Sequence, residues 1–246
     1  MDQSVKFKKE PLDRKGAFLY VSRHHTFGTD ALLLANFAGA KKKDSFVDLG
    51  TGCGIIPFAL LRDEKIEKAI GVDISEEAIF LAEKTAKDRN LTHKFTPILA
   101  DLRDLPDVLK TGKFTLVTCN PPYFADGSGI KNPDSVEATA RHETDCTIDD
   151  VLDAAFKMLN TSGRLCICHR PERLTEILSK MSEKRIEPKR IRFVCQRFSL
   201  PPFLVLIEGK KCSKAGLKIM PTLSLTECED EVRAIYGDYK EGYKLY

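Results

Sequence analysis

The 246-residue chain contains no tryptophan, and none of its apolar segments approaches the roughly 20 consecutive residues that a membrane-spanning helix needs. No apolar segment follows the basic residues near the N-terminus, so the sequence predicts no signal peptide and a cytoplasmic location. Internal repeats and low-complexity tracts are absent. Hydrophobic residues make up 42% and charged residues 30% of the chain, which is typical of a globular domain with its own core. The sequence therefore predicts a globular protein with no membrane partner.

The eight cysteines follow no pattern that is typical of a metal site or a disulfide framework. No two are spaced as CxxC, and the adjacent His24 and His25 have no ligand partner at a useful spacing, so we expect no metal site. Cys166 and Cys168 alternate within an apolar run, which is typical of two residues on one side of a strand. We therefore expect reduced and mostly buried thiols.

Charge is unevenly distributed, although the net charge is only +3. Basic residues are concentrated between positions 6 and 43 and again between positions 184 and 218. If the two groups meet in the folded protein, they can follow a phosphate backbone, as in nucleic-acid-binding proteins. A solvated lysine surface explains the same distribution without a nucleic-acid partner.

Strands and amphipathic helices alternate along the middle of the chain. Apolar, β-branched runs predict strands at 17–22, 45–49, 68–73, 94–99, 114–119, 163–169, 190–194 and 203–208. Helical spacing, capping residues and prolines predict helices at 30–37, 55–62, 76–90, 147–159 and 171–184. This alternation indicates an α/β fold, with a doubly wound, mostly parallel, seven-stranded sheet covered by helices on both faces and an antiparallel last strand. We assign residues 1–43 to an N-terminal extension, 44–210 to the core domain and 211–246 to a C-terminal tail of the same domain.

A glycine-rich segment, residues 50–54, stands where the first core strand must turn into a helix. Glycine allows a tight turn and a close approach to a ligand, and this turn belongs to the carboxyl edge of the sheet, where α/β proteins bind ligands. The spacing is GxGxG rather than the GxGxxG of dinucleotide sites, and Asp48 precedes it. A carboxylate repels a pyrophosphate but suits the ammonium of an amino acid. We therefore predict S-adenosylmethionine (SAM) rather than NAD as the cofactor, bound by Asp48, Gly50 and Gly52.

Two more acids end the next two strands. Asp73 ends the second core strand, and a carboxylate there can accept hydrogen bonds from both ribose hydroxyls of a nucleoside. Asp101 ends the third strand and is placed to reach the adenine amino group. The predicted cofactor site includes Ile74 and Leu102, which directly follow these acids. Acids at three successive strand ends indicate a nucleoside site more strongly than a glycine turn alone. Helix capping or exposure to water is the alternative explanation.

The fourth core strand ends in Asn-Pro-Pro-Tyr at residues 120–123, followed by Phe124. The two prolines stiffen this loop because they fix φ. The Asn120 side-chain oxygen and the Pro121 carbonyl can accept hydrogen bonds from an exocyclic amine and aim its nitrogen lone pair at a methyl donor. Tyr123 can stack on a planar base, and Phe124 can add an apolar wall. We predict Asn120, Pro121 and Tyr123 as catalytic residues, with Asn120 also contacting the cofactor and Phe124 contacting the substrate.

Four segments together resemble SAM-dependent methyltransferases of the Asn-Pro-Pro-Tyr type, and in particular the bacterial tRNA1(Val) (adenine-37) N6-methyltransferase family. They are residues 25–35, 48–56, 120–123 and 140–143. The second and third are common to the superfamily, whereas the first and fourth narrow the resemblance. The resemblance implies a Rossmann-like class I fold and N6-methylation of an adenine in RNA, with tRNA near the anticodon as the target.

The same resemblance implies roles for residues that the pattern alone does not explain. Phe27 and Thr29 are expected to close over the methionine end of the cofactor. Arg141, His142 and Glu143 follow the Asn-Pro-Pro-Tyr loop and are expected to line the substrate pocket. A surface ion pair is the alternative for this second group.

Other functions remain open for the same loop. Glutamine methylation in release factors uses it, but those enzymes carry a sizeable helical domain ahead of the SAM fold, and few residues precede Asp48 here. Methylation of guanine N2 in ribosomal RNA is the nearest enzymatic rival. A DNA adenine enzyme needs a target-recognition domain, for which the short C-terminal tail leaves little room. A non-catalytic RNA-binding protein on the same scaffold is the alternative from another class, and the intact acids, glycines and Asn-Pro-Pro-Tyr loop argue against it.

Overall fold

A computed structural model describes residues 6–13, 15–105, 109, 111–121 and 146–236 of the chain. The sites predicted at Tyr123, Phe124, Arg141, His142 and Glu143 lie outside these described residues. Within the described part of the chain, no helix is both long enough and apolar enough to cross a membrane.

Among the described residues, nine strands form a central sheet in the order β10-β8-β9-β7-β6-β3-β4-β5, with β11 also paired to β8. The strands are β1 (Phe7–Pro11), β2 (Phe18–Ser22), β3 (Phe46–Leu49), β4 (Ala69–Asp73), β5 (Phe95–Leu99), β6 (Phe114–Cys119), β7 (Leu159–His169), β8 (Ile186–Cys195), β9 (Leu204–Lys211), β10 (Lys218–Ile219) and β11 (Leu223–Ser224). The predicted seven-stranded core is confirmed as β3 to β9. Its last strand, β9, is antiparallel to both of its neighbours, as expected. The two-residue strands β10 and β11 extend the sheet and are too short to carry a periodic signal.

Six α-helices pack against this sheet within the described residues. They are α1 (Thr29–Phe37), α2 (Ile55–Arg62), α3 (Glu76–Asp88), α4 (Ile148–Met158), α5 (Leu174–Glu183) and α6 (Glu229–Tyr236). The Ser75 side chain caps α3 by accepting from the Ala78 amide, and Thr147 and Asp150 form a capping box at the start of α4. These caps explain why the predicted starts of α3 and α4 are confirmed within a residue. The helix predicted from Pro171 begins only at Leu174, because a short 3-10 turn precedes it.

Helices cover both faces of the sheet, which confirms the doubly wound arrangement. Buried residues of α1, α2 and α3 form one core cluster that includes Cys166 and Cys168 of β7. Buried residues of α4 and α5 form a second cluster that includes Leu165 and Ile167. The alternation along β7 therefore places both thiols on one face, as the sequence predicted.

The segment before β3 contacts the rest of the fold at two places. A hairpin of β1 and β2 packs on α3, where the Tyr20 amide donates to Thr85 Oγ1 at 2.9 Å. At the end of α1, Arg164 donates to the Ala38 carbonyl at 2.7 Å and Arg190 donates to the Phe37 carbonyl at 2.9 Å. Both guanidinium groups also pair with the buried carboxylate of Glu208. Strand β1 was not predicted, because its residues are mostly exposed and carry no apolar alternation.

The topology places three groups of basic residues away from the ligand-binding edge. Residues 41–43 precede β3, and residues 184–185 precede β8, which runs parallel to β7. Lys210 and Lys211 end the antiparallel strand β9. All of these groups therefore lie at the amino edge of the sheet. Arg197, which follows β8, lies at the carboxyl edge instead.

Candidate cofactor and amine site

A cavity of about 290 Å³ opens at the carboxyl edge of the sheet, close to the lower end of the roughly 300–1,000 Å³ typical of small-molecule sites. It lies where β3, β4 and β6 end side by side. Among the predicted residues, its wall includes Phe27, Asp48, Gly50, Gly52, Asp73, Ile74, Asp101, Leu102, Asn120 and Pro121. Ten residues chosen from five separate stretches of sequence therefore meet around one space.

The glycine-rich segment forms the floor of the cavity in a conformation that favours glycine. Gly50 and Gly52 have φ of 67° and 55°, and no atom lies within 4 Å of a Cβ built on either residue. The backbone is held by a hydrogen bond from the Thr51 amide to the Val72 carbonyl at 2.9 Å. The turn can thus approach a ligand closely because nothing projects from these two positions.

Asp48 lies beneath the turn with only 1% of its surface exposed. Its Oδ1 accepts from the Thr118 hydroxyl at 2.6 Å, and its Oδ2 accepts from the Thr51 hydroxyl at 2.8 Å. Burial raises the pKa of this carboxyl to about 7, while the two threonine hydrogen bonds oppose the rise. A cation in the cavity would favour the ionised form, so the site has the electrostatic character expected for an ammonium or sulfonium ligand.

Asp73 joins the glycine turn to the start of α3. Its Oδ2 accepts from the Gly52 amide at 2.7 Å, and its Oδ1 accepts from the Ser75 amide at 3.0 Å. A carboxylate offers about four lone-pair sites, so these two bonds orient the group and leave capacity for two ligand hydroxyls. This geometry fits the ribose role predicted for the residue.

Asp101 forms an ion pair with Arg103, which the sequence did not predict. Both of its oxygens accept from the Arg103 guanidinium, at 2.6 Å for the Nη2 to Oδ2 bond, and this pairing holds the pKa of Asp101 below its usual value. Arg103 also lines the cavity. Next to this ion pair, Ile74 and Leu102 present apolar side chains to the cavity, and Ile74 is 38% exposed. A flat, apolar ring fits between such side chains better than a charged group does.

Asn120 and Pro121, which follow β6, also line the cavity and are half-buried. The thiol of Cys168, on the neighbouring strand β7, donates to Asn120 Oδ1 at 3.0 Å. Both residues of the predicted amine site that the structure describes therefore line the cavity. The next residues of the loop lie outside the described part of the chain.

The segment between β2 and α1 closes one side of the cavity. Phe27 lines it, together with His25, whose Nε2 lies 2.8 Å from the Ser75 hydroxyl. Thr29 does not line the cavity, contrary to expectation. It begins α1 and lies beside the buried phenol of Tyr236, whose pKa burial raises to about 12.

Several residues at the cavity wall were not predicted, among them His25, Arg103 and Cys146. Cys146 lies two residues before the start of α4 and reaches the site because α4 begins at the same edge of the sheet. His25 and Arg103 each lie within two positions of a predicted site residue in the sequence. That proximity was the only signal that could have identified them. Cys146 had no such signal.

Comparison with known proteins agrees with this geometry. The family model described as "Methyltransferase domain" matches residues 40–201. A protein of Parabacteroides distasonis named tRNA1(Val) (adenine(37)-N6)-methyltransferase is 29% identical over 183 residues, which cover 74% of this chain and 75% of that protein. A protein of the same name from Pedobacter heparinus is 30% identical over 167 residues, covering 67% of this chain and 65% of that protein.

Solved structures share the fold. A predicted O-methyltransferase from Agrobacterium tumefaciens superposes with a TM-score of 0.68 at 20% identity, covering 85% of this chain and 96% of that one. The tRNA m1G37 methyltransferase of Methanocaldococcus jannaschii superposes with a TM-score of 0.59 at 19% identity, covering 87% of this chain and 57% of that one. The architecture is thus that of the Rossmann-like class I methyltransferases.

Proposed function

The chain belongs to the methyltransferase domain family, and on that premise we propose that it methylates N6 of an adenine in tRNA, with SAM as the methyl donor. One observation carries the proposal. A single cavity joins the acid-and-glycine edge of β3 and β4 to the amine acceptors Asn120 and Pro121 at the end of β6. The named relatives supply the base and the RNA class.

The residues of the cavity suit SAM in three chemically different parts. The two carboxylate oxygens of Asp73 would accept from the ribose hydroxyls. Ile74 and Leu102 would pack against the adenine ring, with Asp101 at its edge. Phe27 and the turn above Asp48 would enclose the methionine part. When bound, SAM supplies a methyl group on a positively charged sulfur. The sulfur is the leaving group, and it needs no acid to leave.

The chain's own task is to hold and orient the accepting amine. Its nitrogen lone pair is delocalised into the base, which makes it a poor nucleophile. Acceptance of one N–H by Asn120 Oδ1 and of the other by the Pro121 carbonyl would draw the nitrogen towards tetrahedral geometry. Rigid placement of both acceptors would raise the rate of methyl transfer, because it holds the amine in line with the methyl donor. An RNA base must leave its stack to reach this depth.

The decisive experiment is incubation of the protein and labelled SAM with total RNA from a strain that lacks the gene, followed by nucleoside mass spectrometry. N6-methyladenosine in tRNA is the expected product. N2-methylguanosine in ribosomal RNA would instead support the rival function, and no SAM binding at millimolar concentration would remove the enzymatic proposal altogether.

Asn120→Ala tests the amine site separately from the cofactor site. We expect kcat to fall by about 10²- to 10³-fold, the cost of losing one oriented polar group at a reacting centre, with SAM affinity near that of the wild type. Calorimetry and single-turnover kinetics measure the two quantities. An unchanged rate would contradict the role of the carboxamide.

The RNA is proposed to approach over the carboxyl edge, where exposed Arg23, Arg170 and Arg197 follow β2, β7 and β8. Arg197→Ala should weaken tRNA binding and lower the slope of log affinity against log salt concentration by about 0.9, the effect of one lost phosphate contact. Lys43→Ala is the control, because Lys43 is also exposed but lies at the amino edge. Equal losses in the two variants would place the RNA elsewhere.

A further inference from the structure

The loop between β8 and β9, residues 196–203, holds two large apolar side chains in solvent. Phe198 is 57% exposed and Leu200 is 50% exposed, and Arg197 beside them is exposed as well. Apolar side chains that are exposed close together commonly mark a surface that binds a partner. The loop is therefore a candidate contact surface, and its place in the fold indicates the partner.

Hydrogen bonds to the segment around β11 hold this loop in one conformation. The Phe198 amide donates to Glu227 Oε2 at 2.5 Å, and the Ser224 hydroxyl donates to the same oxygen at 3.0 Å. The Thr226 hydroxyl donates to the Gln196 carbonyl at 2.8 Å. Because the backbone is already ordered, a partner that binds the Phe198 ring loses little affinity to the ordering of the loop.

The loop lies at the same edge of the sheet as the cavity. Strand β8 ends and β9 begins at the carboxyl edge, because β9 is antiparallel to both of its neighbours. In the sheet order, β9 is two strands and β8 three strands from β6, which Asn120 follows. With about 4.8 Å between neighbouring strands, the loop lies roughly 10–14 Å from the end of β6. An RNA strand that places one base in the cavity can therefore place a nearby base on the loop.

The charges around the loop favour a phosphate backbone on the side of the cavity. Exposed Arg170 follows β7, which lies between β9 and β6 in the sheet. The acids at 227 and 229–231 follow β11, which pairs with the edge of β8 opposite to β9. These acids repel phosphates on the outer side, whereas Arg170 and Arg197 attract them on the path towards the cavity. Charge complementarity therefore points to RNA as the partner.

We propose that Phe198 stacks on an unpaired base of the RNA substrate, close to the base that enters the cavity. The inference rests on the proposed function, in which the target base leaves its stack to reach Asn120. A base that leaves its stack exposes the faces of its neighbours, and the flat ring of Phe198 can cover one of them. Such stacking accepts any base, because every base has a π-face. Leu200, two residues further on, adds apolar surface to the same loop.

The binding test uses unmodified tRNA and the full chain without SAM. We expect Phe198→Ala to weaken tRNA binding by about 5- to 150-fold, the effect of losing one stack between a base and an aromatic ring. Phe198→Trp keeps a stacking face and should bind tRNA as tightly as the wild type. Phe198→Leu keeps an apolar side chain without a flat face and should bind as weakly as Phe198→Ala. Wild-type affinity in Phe198→Leu would overturn the stacking contact, and wild-type affinity in Phe198→Ala would leave the loop as a surface for a protein partner.

Phe80 provides a matched control. It is a phenylalanine that is 43% exposed, and it lies on α3, which packs against β4 and β5 at the end of the sheet far from β8. Phe80→Ala removes a similar area of exposed aromatic surface and should keep the tRNA affinity of the wild type. Equal losses in Phe80→Ala and Phe198→Ala would show that the loss is not specific to the loop and would overturn the inference.

Salt dependence separates stacking from charge. Phe198 carries no charge, so Phe198→Ala should leave the slope of log affinity against log salt concentration unchanged while the affinity falls at every salt concentration. Arg197→Ala, in the same loop, should lower that slope by about 0.9. A lower slope in Phe198→Ala would mean that the substitution displaces a phosphate contact, which would contradict a stacking role.

Methylation and SAM affinity, measured on the same variants, separate this inference from the proposed function. SAM affinity of Phe198→Ala should equal that of the wild type, because the loop does not line the cavity. A wild type that binds tRNA through Phe198 but methylates none would contradict the proposed function and leave the stacking contact in place. A wild type that methylates tRNA, with Phe198→Ala equal to it in binding and rate, would overturn only the inference. No tRNA binding by the wild type would overturn both.

Discussion

Asp48 should make cofactor binding depend on pH near neutrality. Burial raises the pKa of its carboxyl to about 7, so in the cofactor-free protein the group is about half ionised at pH 7. A cationic ligand in the cavity favours the ionised form and lowers this pKa. Binding is therefore expected to release a proton, and affinity should rise as the pH rises.

The size of the effect follows from the ionised fraction. If the bound cation lowers the Asp48 pKa below about 5, affinity is proportional to the fraction of cofactor-free protein in which Asp48 is already ionised. With a pKa near 7, that fraction is about 0.09 at pH 6 and about 0.9 at pH 8. The dissociation constant for SAM should thus fall about tenfold across this interval.

Asp48→Asn is the matched variant, because it keeps the shape of the side chain and removes the ionisable group. The α-amino group of SAM titrates in the same range, so the wild type and the variant must be compared at each pH. Calorimetry at pH 6, 7 and 8 in buffers of different ionisation enthalpy gives both affinity and proton release. The same pH dependence in both proteins would refute the assignment to Asp48.

The stability of the cofactor-free protein should change in the opposite direction. Between the ordinary pKa of 3.8 and about 7, the folded state binds more protons at Asp48 than the unfolded state does. The stability contribution of this group therefore falls as the pH rises through that window and levels off above it. The loss is as much as ~4 kcal/mol for a shift of about three pKa units. Urea unfolding of the wild type and Asp48→Asn at pH 5 and pH 8 measures this loss of stability. If Asp48→Asn is more stable than the wild type by the same amount at both pH values, the predicted direction of the pH dependence is wrong.

Two further substitutions test the cofactor site and the frame that supports it. Asp73→Ala should weaken SAM binding by about 10- to 100-fold, because it removes the side chain proposed to accept from two ribose hydroxyls; unaltered affinity in calorimetry would disprove that role. Glu208→Gln should destabilise the fold by roughly 3 kcal/mol. The two arginine side chains that donate to the carbonyls at the end of α1 would lose a buried counter-ion. A urea midpoint equal to that of the wild type would show that this ion-pair cluster contributes little.

The core of the fold could be read from the sequence because its signals are local. Strand β6 and helix α2 have the predicted boundaries. The signals that set these boundaries lie within a few positions of them: β-branched runs, a glycine turn, and a polar residue after the last apolar one. The acids Asp48, Asp73 and Asp101 could be placed at one edge for the same reason. Parallel strands end on the same side, whatever their order in the sheet.

Features that depend on side-chain direction or on cross-strand packing could not be predicted in this way. The pairing of Asp101 with Arg103 and the exclusion of Thr29 from the cavity depend on side-chain directions, which periodicity does not encode. Strand β1 escaped prediction because its residues are mostly exposed and pair only with β2. Burial and cross-strand packing, not local propensity, decide such features.

The sequence alone determined the class of fold, and it predicted the edge proposed for the cofactor and the residues proposed to face an amine, because each follows from short-range pattern and from the direction of parallel strands. Tertiary structure decided which groups share a surface. It placed the basic residues at 41–43, 184–185 and 210–211 at the amino edge, away from the cavity. It also brought Cys168 against Asn120, 48 positions earlier in the chain. Strand order sets such neighbours, and strand order depends on the packing of the whole sheet rather than on any one segment.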